Sequence, residues 1–249
     1  MRLYPVELRL EGRNCLLVGG GKVAERKAMG LLAAGGNLSL VSPRLTDGLR
    51  EAVAEGRLRW QDRTYRSGDL EGVFLVIAAT DDPATNDLVS REAQEANVLC
   101  NVVDDPARCN FVLPAVLRRG DFSLSVSTGG NSPLLARLVR EELEGRFGIE
   151  YGPYVRFLGK MRAEAMGMLA PPERETFLRE LVAGEYLDLI RRGFFEQAEQ
   201  KAEAIIYAAR HDRNQVQPAG PSPGRGDSKS PVGHPSRLGD WAGADHDGR

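Results

Sequence analysis

A chain of 249 residues with a formal net charge of −2 can bury a substantial core, in one large domain or two smaller ones. Its balanced charge, with a pI of about 6.0, leaves no electrostatic footprint for nucleic acid or an acidic membrane surface. Because the sequence holds no apolar run of membrane-spanning length and no signal-peptide pattern, we expect a cytoplasmic protein without nucleic-acid or membrane partners.

Short apolar strands alternate with helical segments in the N-terminal part of the chain. The strands are predicted at Asn14–Val18, Asn37–Val41, Leu58–Asp62, Phe74–Ala78 and Val98–Val103. Helices are predicted over residues 22–34, 46–54 and 83–96. Because strands buried on both faces are almost continuously apolar, this alternation indicates an α/β fold with a Rossmann-like, doubly wound parallel sheet.

The pattern changes after the fifth of these strands. Phe111–Leu117 and Phe122–Ser127 are predicted strands around a tight turn over residues 118–121, and four helices are predicted over 133–146, 151–168, 172–183 and 194–210. We therefore expect a nucleotide-binding domain over residues 1–113, a linking or dimerising element over 114–148, a helical domain over 149–211 and a tail over 212–249.

The tail differs in composition from the rest of the chain. It is rich in Pro, Gly, Ser and Asp and nearly free of large aliphatic residues, so it cannot bury enough apolar surface to offset its ordering entropy, and we predict disorder. All three histidines lie in it or at its edge. The folded part is therefore expected to have no histidine available as a base or metal ligand.

A glycine-rich turn joins the first strand to the first helix. In the pattern G-x-G-x-x-A, Gly19 makes the tight turn, Gly21 lets a pyrophosphate approach the backbone, and Ala24 lets helix and strand pack closely. The helix beginning at Lys22 and Val23 aims free N–H groups at the phosphates. Glycine-rich turns also simply connect strands to helices, but the position of this one predicts a dinucleotide site.

The second strand ends in Ser42, Pro43 and Arg44, where standard dinucleotide folds carry an acidic residue that binds the ribose. Either the site binds no dinucleotide, or the backbone and Ser42 hold the ribose. Arg44 would suit a 2′-phosphate, so the choice between NAD and NADP stays open.

The fourth strand ends at the same edge, in Ala78 and Ala79, followed by Thr80, Asp81 and Asp82. Asp81 or Asp82 is expected to cap the next helix, with Pro83 at its first position. The two small alanines would admit a ribose, which makes Thr80 and Asp81 candidate cofactor-binding residues.

Asp104 follows the fifth strand, which we expect to be central, and would lie close to a nicotinamide. A structural role and a catalytic role are equally open for it. Asp105, before Pro106, is most simply a turn residue.

A second glycine-rich turn contains Thr128, Gly129, Gly130, Asn131 and Ser132. Ser132 and Pro133 are standard helix-start signals, and free N–H groups at such a helix start can also bind carboxylates. Arg137 and Arg140 follow on the helix, where neighbouring glutamates indicate an ordinary solvated face.

Taken together, these segments resemble the precorrin-2 dehydrogenase/sirohydrochlorin ferrochelatase family, the dehydrogenase–chelatase portion of siroheme synthase. The resemblance covers about residues 1–210 and rests on residues 4–5, 18–27, 78–82, 100–104, 111–115, 127–133 and 136–137. It implies NAD-dependent oxidation of precorrin-2 to sirohydrochlorin by a homodimer built through residues 114–148. Some members also insert Fe²⁺ to give siroheme.

Residue by residue, the resemblance implies that Asp104 is the catalytic aspartate and that Gly21–Val23 and Pro43–Arg44 contact the dinucleotide. Asp104 could also assist metal insertion and hold Fe²⁺ transiently, and the Thr128–Ser132 turn could receive the carboxylates of the tetrapyrrole. Because this sequence lacks the methyltransferase domain of fused siroheme synthases, we do not expect it to make precorrin-2. A dehydrogenase without chelatase activity, or a nucleotide-sensing regulatory module, remain the alternatives.

Overall fold

The computed structural model describes residues 3–215, so most of the predicted tail lies outside the described residues. Its largest sheet has five parallel strands in the order β3-β2-β1-β4-β5. The strands are β1 (Asn14–Val18), β2 (Asn37–Val41), β3 (Arg59–Gln61), β4 (Leu75–Ala78) and β5 (Leu99–Val102). The helices between them are α1 (Lys22–Ala33), α2 (Asp47–Ala54) and α3 (Pro83–Glu95). The predicted doubly wound parallel sheet is confirmed.

Helices cover both faces of this sheet because successive strand residues point to opposite sides. Leu17 and Ile77 face one side and pack with buried residues of α1 and α2, such as Leu49. Leu16 and Val76 face the other side and pack with α3. Ala24 and Ala28 of α1 are fully buried, as expected for a helix that approaches the sheet closely.

One expectation about this sheet is wrong. The strand before Asp104 was expected to be central, but β5 is an edge strand, next to β4 alone. Asp104 itself lies beyond the strand, in a turn where its φ is 60°. Strand order follows from long-range pairing, which the local sequence does not encode.

A two-stranded antiparallel sheet follows, made of β6 (Ala115–Arg119) and β7 (Phe122–Val126). The predicted first strand began too early, because residues 111–114 are not in the ladder, and Pro114 has no N–H to donate to one. The turn is also shorter than predicted. Arg118 and Arg119 belong to β6, and only Gly120 and Asp121 connect the strands.

The helix α4 (Pro133–Arg146) packs on this hairpin, and four further helices follow it. They are α5 (Tyr151–Met168), α6 (Pro171–Ala183), α7 (Tyr186–Arg191) and α8 (Phe195–Gln215). They share a separate core that includes Phe157, Met161 and Tyr186.

Two sequence predictions fail in this helical part. The six-residue α7 was not predicted, and α8 continues to Gln215, beyond the expected start of the tail at residue 212. His211 therefore lies within a helix. Within residues 3–215, each helix is too short or too polar to cross a bilayer.

Candidate cofactor and catalytic site

The carboxyl ends of the parallel strands meet along one edge of the sheet. In the strand register, Val18 of β1 is paired with Ala78 of β4, which is paired with Val102 of β5. Adjacent strands are about 4.8 Å apart, so β5 lies roughly 10 Å from β1 along this edge. Any group bound after β1 can therefore extend across β4 to the residues that follow β5.

The three consecutive glycines after β1 have three different structural roles. Gly19 has a φ of 112°, and a Cβ there would lie 2.2 Å from the Ala79 carbonyl oxygen. A Cβ on Gly20 would lie 1.9 Å from the Arg44 carbonyl oxygen. A Cβ on Gly21 would meet nothing within 4 Å. Gly19 and Gly20 therefore allow backbone packing, whereas Gly21 leaves open space at the start of α1.

The start of α1 keeps free hydrogen-bond donors beside that space. Gly21 is the N-cap and has no side chain with which to cap the helix. The first bond to its carbonyl oxygen comes from the Glu25 amide, at 2.9 Å, and the amides of Lys22, Val23 and Ala24 have no acceptor in the described chain. Free amides at a helix start, combined with the helix dipole, suit an anion such as a pyrophosphate. The residues present therefore fit a dinucleotide.

The segment after β2 docks on the glycine loop. The Ser42 side chain is buried, and its hydroxyl donates to the Arg44 carbonyl oxygen at 2.7 Å. The Thr46 amide donates to the Gly20 carbonyl oxygen at 3.0 Å. The Ser42 hydroxyl thus helps to hold this loop, while Pro43 and Arg44 are exposed at its tip.

Asp82 is the N-cap of α3 at the end of the neighbouring strand. Its carboxylate accepts hydrogen bonds from the Thr85 hydroxyl and from the Ala84 and Thr85 amides. These bonds, the Thr85 hydroxyl first, lower the pKa of Asp82. Asp82 therefore makes the cap that the sequence assigned to Asp81 or Asp82.

Thr80 and Asp81 precede this cap. The Thr80 hydroxyl accepts from the Asp82 amide at 3.2 Å, and its carbonyl oxygen accepts from the Asn86 side chain at 2.9 Å. Asp81 is exposed and makes no hydrogen bond within the described chain. Of the two, Asp81 alone has a side chain wholly available to a ligand.

The Asp104 side chain is exposed just beyond β5, at the same sheet edge, and makes no hydrogen bond within residues 3–215. Its charge reaches Lys27, which is half-buried on α1. Burial first, and the charge of Arg26 second, lower the pKa of Lys27, and the Asp104 carboxylate opposes them. This interaction could not be predicted from the sequence, because nothing in the local sequence relates Lys27 to a residue so distant in the chain.

The second glycine-rich turn is largely self-satisfied. The Thr128 hydroxyl bonds to the amide and the carbonyl oxygen of Ser132, and the Asn131 side chain donates to the Thr128 carbonyl oxygen. The Ser132 hydroxyl caps α4 by accepting from the Leu135 amide.

Two consecutive glycines shape this turn, since the φ angles of Gly129 and Gly130 are 61° and 84°. Pro133 has no N–H, and the backbone amides that lack an acceptor in this part of the described chain include those of Thr128, Gly130 and Leu134. Arg137 and Arg140 pair with glutamates of their own helix, as a solvated face predicts.

In residues 3–215, no three His, Cys, Asp or Glu side chains are grouped so that they could hold a metal ion. Asp104 is therefore part of no such three-ligand group.

Two known sequence families match successive parts of the chain. The family described as "Putative NAD(P)-binding" matches residues 6–115, which contain the sheet and the return to the hairpin. The family described as "Sirohaem biosynthesis protein central" matches residues 119–146, the hairpin turn, β7 and α4.

Matches to individual proteins extend beyond residue 146 into the helical part of this chain. A siroheme synthase of Photorhabdus laumondii is 38% identical over 204 residues, which are 82% of this chain and 43% of that protein. Siroheme synthase 3 of Aeromonas hydrophila is 37% identical over 226 residues, which are 90% of this chain and 48% of that protein. This chain thus spans about half the length of the siroheme synthases it matches.

A solved structure named "SirC, precorrin-2 dehydrogenase" matches with a TM-score of 0.68 and 31% identity, covering 80% of this chain and 100% of that one. The chain belongs to the precorrin-2 dehydrogenase family. Membership in this family confirms the predicted resemblance and disfavours the alternative of a nucleotide-sensing module. The NAD(P)-binding match indicates that residues 6–115 form a domain for a nicotinamide cofactor, and the glycine loop at residues 19–21 lies within this domain.

Proposed function

We propose that this chain catalyses the NAD⁺-dependent oxidation of precorrin-2 to sirohydrochlorin in siroheme biosynthesis. One observation carries the proposal: an anion-binding helix start after β1 and a carboxylate free of hydrogen bonds after β5 lie along the same sheet edge. The match to a precorrin-2 dehydrogenase, which covers 80% of this chain and all of that one, supports this substrate.

The reaction removes a hydride and a proton from the tetrapyrrole. Bound NAD⁺ supplies the hydride acceptor. Asp104 takes the proton as a general base, and its freedom from internal hydrogen bonds leaves its oxygens available for that transfer. The hydride carries both electrons, so the charges balance when the proton reaches the carboxylate.

The cofactor is proposed to lie across the strand ends from β2 to β5. The amides of Lys22 and Val23 bind the pyrophosphate in the open space at Gly21, and Gly19 holds the turn beneath it. Ser42 and Pro43 shape the loop beside the adenosine ribose, while Thr80 and Asp81 border the nicotinamide side.

NAD is the proposed cofactor, with Arg44 as the residue that would decide tolerance of NADP. Its guanidinium is exposed at the tip of the loop after β2. A guanidinium there can form a charged pair with a 2′-phosphate, whereas toward the uncharged hydroxyls of an unmodified ribose it offers only hydrogen-bond donors.

The substrate carboxylates are proposed to approach the turn that contains Thr128, Gly129, Gly130, Asn131 and Ser132. Its backbone amides without an acceptor in the described chain include those of Gly130 and Leu134, whereas the side chains of Thr128, Asn131 and Ser132 already bond to backbone groups of the turn and of α4. Recognition at this turn would therefore come from backbone amides held in place by Thr128 and Asn131.

Iron insertion into sirohydrochlorin is a second candidate function. Fe²⁺ would enter as a substrate bound mainly by the tetrapyrrole nitrogens, since the described residues form no cluster of three ligands. The free carboxylate of Asp104 favours this activity, because metal insertion requires a base for the pyrrole protons and a transient oxygen ligand for the metal.

A homodimer built through residues 114–148 is also part of the proposal. Helix α4 exposes three leucines, Leu134, Leu135 and Leu138, with fractional exposures of 64%, 52% and 52%. A second copy of the chain is the proposed cover for this apolar face.

An anaerobic assay of the purified protein tests these activities in order. Precorrin-2 with NAD⁺ should yield sirohydrochlorin and NADH in equal amounts, and sirohydrochlorin with Fe²⁺ should then yield siroheme. Absence of NADH formation by a folded, NAD⁺-binding protein would contradict the dehydrogenase. Siroheme formation no faster than in protein-free buffer would contradict the chelatase alone.

A further inference from the structure

The outer edge of β5 is covered by the chain that follows it. No strand of residues 3–215 pairs with this edge. Instead, after the turn at Asp104 and a 3₁₀ helix (Pro106–Arg108), the chain runs back beside β5. We call residues 105–111 the return segment.

Asn110 fastens the return segment to the strand with both ends of its side-chain amide. Its Oδ1 accepts from the Cys100 amide at 2.8 Å, and its Nδ2 donates to the Val98 carbonyl oxygen at 2.8 Å. Its own backbone N–H donates to the Cys100 carbonyl oxygen at 3.1 Å. The Asn110 side chain thus makes the bonds that the peptide groups of a neighbouring strand would make.

A thiol adds a second attachment at the end of β5. The Cys109 sulfur accepts from the Val102 amide at 3.2 Å. It also lies 3.3 Å from the Val102 carbonyl oxygen and 3.2 Å from that of Asp105. Burial raises the pKa of this thiol, which keeps it protonated and able to donate to one of the two carbonyls.

Arg108 provides a third attachment, to α3. It pairs with Asp105 within the return segment and with Asp87 of α3, the latter at 2.8 Å. The Ser90 hydroxyl of α3 also donates to the Arg108 carbonyl oxygen at 2.9 Å.

These attachments matter because the Asp104 side chain is held by no hydrogen bond of its own within the described chain. Its backbone has a φ of 60°, which non-glycine residues adopt rarely and at a cost. The carboxylate position therefore depends on how firmly the chain is fixed on both sides of the turn, by β5 before it and by the return segment after it.

We propose that Asn110 is a positioning residue for Asp104: its side-chain amide fastens the return segment to β5 and thereby sets the turn that presents the Asp104 carboxylate. The proposal rests on the proposed dehydrogenase function, in which Asp104 is the base. Asn110 itself touches neither cofactor nor substrate in this account.

The test compares Asn110→Ala, which removes both side-chain bonds, with Asn110→Asp, which keeps an acceptor for the Cys100 amide but loses the donor to Val98. Asn37→Ala is the matched control. Asn37 is also exposed and its side chain donates to a backbone carbonyl oxygen, that of Gly12. Asn37 is the first residue of β2, at the end of the strand away from the proposed site. For each protein, kcat for precorrin-2 oxidation and KM for NAD⁺ would be measured.

Asn110→Ala should lower kcat about 10- to 100-fold, the usual effect of displacing a catalytic group by roughly 1 Å, with KM for NAD⁺ unchanged. Asn110→Asp should lower kcat at least as much, because it replaces the donor to Val98 with a carboxylate oxygen that faces a carbonyl oxygen, and Asn37→Ala should not lower it. In an Asp104→Asn background, Asn110→Ala should have almost no further effect, because both changes act through one carboxylate. An equal fold loss in both backgrounds would overturn the proposal.

A readout without substrate tests the attachment itself. Iodoacetamide labelling of Cys109, followed by peptide mass analysis, should be about tenfold faster in Asn110→Ala than in the wild type or Asn37→Ala, because the released segment exposes its thiol. Unchanged labelling would overturn the proposal even if kcat fell. If the wild-type protein does not oxidise precorrin-2, the dehydrogenase function fails, whereas faster labelling would still support the attachment.

Discussion

The Arg44 carbonyl oxygen occupies the place where a Cβ of Gly20 would be, 1.9 Å from the ideal Cβ position. The loop after β2 therefore packs directly on the loop after β1, and the two segments proposed to hold the cofactor form a single unit. Gly21, the next residue, has no such neighbour, so the packing of the fold does not require a glycine there and the space is open to the proposed cofactor.

Substitution of Gly21 separates cofactor binding from folding. Gly21→Asp should weaken NAD⁺ binding by about 1–4 kcal/mol, the repulsion between unit charges roughly 4 Å apart at effective dielectric constants of about 80 to 20. The melting temperature should not fall, because Asp is a preferred N-cap and the φ of −83° at Gly21 suits any residue. Calorimetric titration with NAD⁺ measures the affinity, with Gly21→Ser as an uncharged control. Wild-type affinity in the Asp variant would place the phosphate elsewhere.

Arg44→Glu tests cofactor choice. Any binding of NADP⁺ should weaken by about 1.5–3 kcal/mol, the value of a hydrogen bond to a charged group, while NAD⁺ binding is nearly unchanged. Arg50→Glu makes the same change of charge at an exposed position on α2, outside the loop. If Arg44→Glu weakens the binding of NAD⁺ and NADP⁺ equally while Arg50→Glu weakens neither, Arg44 supports the loop and does not select between the two cofactors.

The Asp82 cap should give the protein an acid-sensitive component of stability. Its pKa is lowered in the folded protein by the Thr85 hydroxyl and the α3 amides. A lowered folded pKa means that the stabilisation is present above the unfolded pKa, about 3.9, and is lost as the pH falls through the folded pKa. Asp82→Ala should therefore melt below the wild type at pH 7, and the gap should narrow in acid. Asp81→Ala, at an exposed carboxylate without hydrogen bonds, should show no such gap. A difference in melting temperature between Asp82→Ala and the wild type that does not change with pH would contradict an origin in the Asp82 carboxylate.

The exposed leucines of α4 test the proposed dimer. Leu138→Glu places a charge on the apolar face and should convert the dimer to a monomer at micromolar concentration, as measured by light scattering after gel filtration. Val182→Glu is the control, since Val182 is 65% exposed but lies on α6. A wild-type protein that is already monomeric would refute the dimer, and an unchanged dimer in Leu138→Glu would place its interface elsewhere.

The N-terminal sheet could be predicted from the sequence because its signals are local. The predicted bounds of β1, β2, α4 and α5 agree with the observed bounds at every end residue. These bounds are marked by local signals, namely glycine, the helix start at Ser132–Pro133 or a change in the periodicity of apolar residues. The helix cap at Asp82 and the open glycine at Gly21 follow from the same local rules.

The surroundings of Asp104 could not be predicted in the same way. The edge position of β5 depends on strand order, the Asn110 bonds join a side chain to a strand ten residues away, and the interaction of Lys27 with Asp104 spans two separate elements. The bond from the Ser42 hydroxyl to the Arg44 carbonyl oxygen could not be predicted from the sequence either. Each of these features depends on contacts that exist only in the folded chain.

The most direct test of the account is the rate of NADH formation by Asp104→Asn under anaerobic conditions with precorrin-2 and NAD⁺. The substitution keeps the shape of the side chain but removes its basicity, so the rate should fall about 10²–10⁴-fold with the affinity for NAD⁺ unchanged. Asp62→Asn, which alters the exposed carboxylate after β3 at the opposite edge of the sheet, should keep the wild-type rate. Near-normal oxidation by a folded Asp104→Asn protein would contradict the assignment of Asp104 as the catalytic base.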